Sequence, residues 1–96
     1  MSVVRSHTYS VDPADLEEFL ARRASLIGTV RETHPGPTVA LLVELDDGTY
    51  RDTWHWESRG QMDAALAALA TFPEAPLTMA LTKYATAQDG HVVDER

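Results

Sequence analysis

The stretch DTWHWES, Asp52 to Ser58, carries two carboxylates, a histidine and both tryptophans of the chain. These residue types suit a flat aromatic ligand. Indole rings offer apolar faces, and a carboxylate or an imidazole can take a proton. Thr49 to Glu57 is rich in β-branched and aromatic residues and reads as a strand, whose side chains alternate between two faces. Tyr50, Asp52, Trp54 and Trp56 then share one face, and Arg51, Thr53, His55 and Glu57 share the other. His55 therefore points away from both indoles. Trp54 and Trp56 together present about 400 Å² of aromatic surface.

Two readings of that surface stay open. The indoles wall a cavity between sheet and helices, with Asp52 and Tyr50 as its polar handles. Alternatively they are core, packed under a helix whose small residues Ala64, Ala65, Ala67 and Ala68 permit close approach. Asp52 on the same face argues for a wet edge, a hydrogen bond or a pocket, because an unpartnered buried carboxylate is costly.

Other groups are weaker candidates. Arg5, His7 and Tyr9 alternate on the first strand and face either a cavity or a dimer interior. His55, Glu57 and His7 would bind a metal only if they converged. Polar contacts at a dimer interface, or pairing with Arg51, explain His55 and Glu57 more simply, so no metal site is expected. Ser58 is explained as a helix cap, and no G-x-S-x-G pattern surrounds it. His34, beside the prolines of HPGP, belongs with a helix end. Asp15, Glu17, Glu18, Arg22 and Arg23 read as a solvated helix face, with Glu18 and Arg22 at i,i+4 spacing.

The elements that must position these residues follow in order. Val3 to Val11 reads as a strand. In DPAD, Asp12 is the N-cap, Pro13 suits the first helical position and Asp15 favours the positive helix end. The helix runs to about Thr33. Leu16, Phe19, Leu20, Leu26, Ile27 and Val30 form its apolar stripe, interrupted only by Arg23. HPGP, His34 to Pro37, ends it. Val39 to Leu45 is the second strand, Asp46-Asp47-Gly48 a hairpin turn, and Thr49 to Glu57 the third strand, antiparallel to the second. Ser58 and Gln61 have capping-box spacing, and the alanine-rich helix they open places Met62, Leu66 and Leu69 on one stripe. Pro73 and Pro76 break it and start a short third helix through about Ala80. Leu81 to Ala87 is the fourth strand. Asp89-Gly90 reads as a turn, with His91 to Asp94 returning as a short arm.

This β-α-β-β-α-β order is the ferredoxin-like plan, an α+β fold with helices on one face of an antiparallel sheet. Ninety-six residues make one domain, 1–96. The second strand is apolar on both faces: Val39, Leu41, Val43 and Leu45 point one way, Ala40 and Leu42 the other. A sheet with one wet face should alternate apolar and polar. The economical cover for the second face is the same face of another copy, giving a two-fold homodimer; an internal contact with the C-terminal arm is the alternative.

The balance of 8 Lys plus Arg against 15 Asp plus Glu gives a net charge of −7. That field repels phosphate backbones and anionic membranes, so nucleic-acid and membrane partners are not expected. A hydrophobic share of 44% is that of a globular protein. The chain has no cysteine, which excludes disulfides and thiolate chemistry. No membrane span or signal peptide is visible, and a cytoplasmic location fits.

The element order, with Trp56-Glu57-Ser58 ending the third strand and Ser58 capping a helix, resembles the antibiotic biosynthesis monooxygenase family of dimeric α/β barrels. The resemblance runs from Val3 to about Ala87. It implies two ferredoxin-like sheets packed face to face, with a cavity between each sheet and its helices. The family includes cofactor-free oxygenases of aromatic polyketides and haem-degrading enzymes. In both, the tryptophan of W-x-S lines the pocket, a role that falls here on Trp56, with Trp54 on its face. The characterised oxygenases place an asparagine near that tryptophan, and this sequence has none. The haem-degrading members take a histidine from the following helix, and Ser58 to Ala80 contains none. The resemblance thus implies a cofactor-independent oxygenase of a small aromatic molecule, with Asp52, His7 or Tyr84 assisting proton transfer. A non-catalytic binding or dimerisation module of the same fold is the alternative.

Overall fold

A computed structural model describes residues 2–33 and 36–96 of the chain. It contains β1 (Val3–Val11), α1 (Leu16–Thr33), β2 (Val39–Glu44), β3 (Tyr50–Trp56), α2 (Arg59–Leu69), α3 (Glu74–Met79) and β4 (Thr82–His91). The four strands form one antiparallel sheet in the order β2-β3-β1-β4, with the helices over one face. This is the ferredoxin-like arrangement. β1 and β3 lie at its centre, so the residues alternating along them make the floor beneath the helices.

Local chemistry sets most boundaries. The Asp12 carboxylate accepts a hydrogen bond from the Ala14 amide at 3.0 Å, and a 3-10 turn, Pro13–Asp15, leads into α1. Gly48 takes φ +86° in the β2–β3 hairpin, a backbone conformation that disfavours any side chain. Ser58 Oγ accepts from the Gln61 amide at 3.2 Å and caps α2. Part of the expected stop for α1, His34 and Pro35 of HPGP, lies outside the described residues. Leu20 departs from the apolar stripe and is exposed, while Phe19, Leu26, Ile27 and Val30 are buried. It sits at the flank of the helix face that meets the sheet.

Asp89-Gly90 is not a turn. β4 continues through both residues to His91, and Val92 N–H still donates to the Ser2 carbonyl at 2.8 Å. Gly90 faces Val4 and Asp89 faces Arg5 across the ladder. Pairing along the full length of β1 overrides the local turn preference of an Asp-Gly pair. The ladder is interrupted once, between Thr8 and Ser10, where β4 bulges and Tyr84 takes φ +58°.

The core divides in two. Val3, Val30, Trp56, Met62 and Ala65 form one buried cluster, and Tyr9, Val11 and Phe19 form the other. On the far side of the sheet Val39, Leu41 and Val43 are exposed, Leu41 by 55%. Among the described residues no helix is long and apolar enough to cross a membrane.

Candidate functional site

Between the two core clusters lies a cavity of about 290 Å³. Tyr9 and Phe19 line it from one cluster; Trp54, Trp56, Leu66 and Leu69 line it from the other. Its volume is at the lower end of ligand pockets, roughly 300–1,000 Å³. β1 contributes Arg5, His7 and Tyr9, and β3 contributes Asp52, Trp54 and Trp56. Antiparallel register sets His7 opposite Asp52 and Arg5 opposite Trp54. Alternation on two central strands is thus sufficient to bring these six side chains to one surface.

The two indoles play different parts. Their ring centroids are 5.9 Å apart and their planes tilt by 47°. Trp56 is 0% exposed and packs with Val3, Val30, Met62 and Ala65. It is at once core and cavity wall, so the two sequence readings both hold for it. Its Nε1 has no hydrogen-bond partner among the described residues. Trp54 is half-buried, and its Nε1 donates to Asp52 Oδ1 at 3.0 Å.

Asp52 is only 6% exposed and accepts four hydrogen bonds. Arg23 of α1 approaches it fork to fork, Nε to Oδ2 at 2.9 Å and a terminal nitrogen to Oδ1 at 2.8 Å. Tyr9 O–H donates to Oδ2 at 2.8 Å. With Trp54 N–H on Oδ1, both oxygens carry two donors. The interruption in the apolar stripe of α1 is therefore the partner of the buried carboxylate. Arg23 was a visible anomaly in the sequence, but strand alternation gives a face, not the rotation of the helix above it. Burial, then the charge of Asp52 and its hydrogen bond, push the Tyr9 phenol well above its ordinary value, so it stays protonated.

His7 is the other titratable group on the cavity floor. It is half-buried, and its ring has no hydrogen-bond partner among the described residues. Burial and the nearby Arg5 guanidinium hold its pKa below the ordinary 6.5. Arg5 itself is fork-bound to Asp89 of β4, at 2.7 and 2.9 Å.

Two expected site residues lie elsewhere. Tyr50 shares the face of Asp52 but falls beyond the cavity, stacked on Tyr9 with centroids 6.5 Å apart. Tyr84 is 87% exposed and stands clear of the cavity, because the β4 bulge turns it outward. His55 projects from the opposite face of the sheet to His7, so the His7, His55, Glu57 combination does not form. Among the described residues no group of three or more His, Cys, Asp and Glu could hold a metal ion.

No protein-family model matches the sequence, and no curated protein matches it closely enough to count as a relative. Solved structures do match its fold. A variant of SnoaB, a cofactor-independent oxygenase from Streptomyces nogalater, superposes with a TM-score of 0.75 at 21% identity, covering 98% of this chain and 95% of that one. An antibiotic biosynthesis monooxygenase gives 0.72 at 18% identity, covering 98% of this chain and 100% of that one. A conserved protein from Methanosarcina mazei Go1 gives 0.73 at 14% identity, covering 95% and 92%. The chain has the fold of the antibiotic biosynthesis monooxygenases.

Proposed function

We propose that this protein binds a small aromatic molecule between sheet and helices and oxidises it with dioxygen, without a cofactor, as a homodimer joined through the open sheet face. The observation that carries this reading is the cavity of about 290 Å³ with two indoles in its wall and polar groups on its floor. Its lining is mostly apolar, as a flat aromatic ring requires. The similarity in fold to SnoaB, a cofactor-independent oxygenase, supports the reaction class. Electron-rich phenols supply their own reducing electrons. Once deprotonated, such a ring passes an electron to O₂, and the radical pair combines to a hydroperoxide. Loss of water then leaves a carbonyl: a ring CH₂ and O₂ become C=O and H₂O.

A second reading has its own support. Asp52, the carboxylate on the same sheet face as the indoles, already accepts four hydrogen bonds and anchors the site. A cavity built around a locked carboxylate also suits a module that binds without turnover. Anthrones and quinols incubated under air with the protein distinguish the two. Protein-dependent quinone formation supports the oxygenase. Binding seen by quenching of indole fluorescence, without turnover across the panel, supports the module. Trp54→Phe is the informative variant. It removes a donor to Asp52 and part of the wall, and the expected outcome is about a tenfold weaker ligand affinity, the loss of about 1.4 kcal/mol.

A further inference from the structure

The geometry points to His7 as the proton acceptor of the cavity, with the Arg23–Asp52 pair serving only to hold the floor in place. The inference rests on the reading that an ionisable aromatic molecule occupies the cavity.

The polar side chains lining the cavity can be taken in turn. Arg5 and Arg23 donate only, and so does the indole of Trp54. Tyr9 donates its proton to Asp52. Thr78 and Thr82 donate theirs to the carbonyls of Glu74 and Met79. Asp52 has both oxygens engaged, by Arg23, Tyr9 and Trp54. Taking a proton there would mean giving up a buried charge-assisted pair. His7 remains, an imidazole on the floor with a lone pair that no described residue uses.

Its surroundings suit that task. Arg5 and Tyr9 flank it on β1; Asp52 faces it from β3, Asp89 approaches from β4, Arg23 lies across on α1, and Arg59 of α2 reaches Asp89 at 3.9 Å. Burial and Arg5 keep the imidazole unprotonated at neutral pH, so it is ready to accept. After transfer, the imidazolium lies beside Asp52, whose charge favours it, and the substrate anion lies near Arg5. The proton leaves the substrate O–H or C–H for the imidazole nitrogen and is returned when the hydroperoxide releases water. Dioxygen is the oxidant.

The test uses 4-nitrophenol, whose ionised form absorbs visible light, with the protein and its His7→Gln variant. Bound to the wild type, the probe should ionise about one pH unit below the free probe, a tenfold shift. His7→Gln should bind it with a clearly smaller shift, the remainder coming from Arg5. On a substrate that turns over, His7→Gln should lower kcat by roughly 10²–10⁴-fold with KM little changed, and imidazole should rescue His7→Ala. His91→Gln, outside the cavity, is the control. A shift or a turnover that is undiminished in His7→Gln overturns the assignment and leaves the cavity reading standing. Absence of probe binding by the wild type overturns the cavity reading and this inference together. Circular dichroism checks folding of each variant, and His7→Asn replaces any that unfolds.

Discussion

Asp52 carries the tension between stability and chemistry on a single side chain. Its charge is nearly out of water and is satisfied by Arg23, itself only 14% exposed. Breaking such a pair from one side leaves an uncompensated buried charge, costing about 3–5 kcal/mol, whereas removing both partners costs less. Asp52→Ala and Arg23→Met are each expected to lower unfolding stability in urea by about that amount. The double variant should lose clearly less than the sum. Additive losses would mean the two groups do not act as a pair. His7 behaves oppositely. Its pKa is lower in the fold than the ordinary 6.5, so in mild acid the unfolded chain binds the extra proton more readily. The stability tied to it is fully present above 6.5 and is lost as pH falls through 6.5 towards the folded value. His7→Gln should flatten that part of the stability–pH curve, measured by urea melts at stepped pH. Trp56→Ala is a poor probe of ligand contact, because removing a wholly buried indole costs about 3–5 kcal/mol of fold as well.

At the scale of elements, the sequence is most legible where local chemistry decides. Ser58 caps α2, Gly48 turns the hairpin and Asp12 starts the approach to α1, each by a hydrogen bond or a φ that its residue type favours. Ser58→Ala should therefore cost about 1 kcal/mol, read as a lower melting temperature with cavity binding retained. Legibility ends where partners far along the chain decide. Asp89 and Gly90 have turn chemistry, yet β1 offers them a ladder and Arg5 offers Asp89 an ion pair. Alternation placed Asp52, Trp54 and Trp56 correctly on one face, but it could not reveal that Tyr50 falls beyond the end of the cavity. Tyr84 was misplaced for a related reason: one bulge in β4 changes which side its residues face, and no spacing in the sequence marks it. Arg23 was legible as an anomaly and not as a partner, since its distance to Asp52 depends on how α1 crosses the sheet.

For the whole molecule, the unusual surface is the outer face of β2, where Val39, Leu41 and Val43 stand in a row in water. Ladder bonds fix their direction. Since Ala40 and Leu42 already occupy the inner side, a one-residue slip that hid the row would expose others. A chain of net charge −7 has acidic groups enough to solvate a free face, yet none interrupts this row. Burying a Val or Leu side chain gains about 1.5–3 kcal/mol, so covering the row in two copies gives a strong drive to pair. The cavity lies on the other side of the sheet, which separates the two properties. Leu41→Asp would place a carboxylate in the face through which the proposed dimer joins and leave the cavity floor untouched. In gel filtration at micromolar concentration the wild type should run at about twice the 10.6 kDa chain mass, and Leu41→Asp at the chain mass, with ligand binding kept. A wild type at 10.6 kDa removes the dimer. A monomeric Leu41→Asp that has also lost binding would mean that the cavity depends on the second copy for its shape, since the substituted side chain itself points away from it.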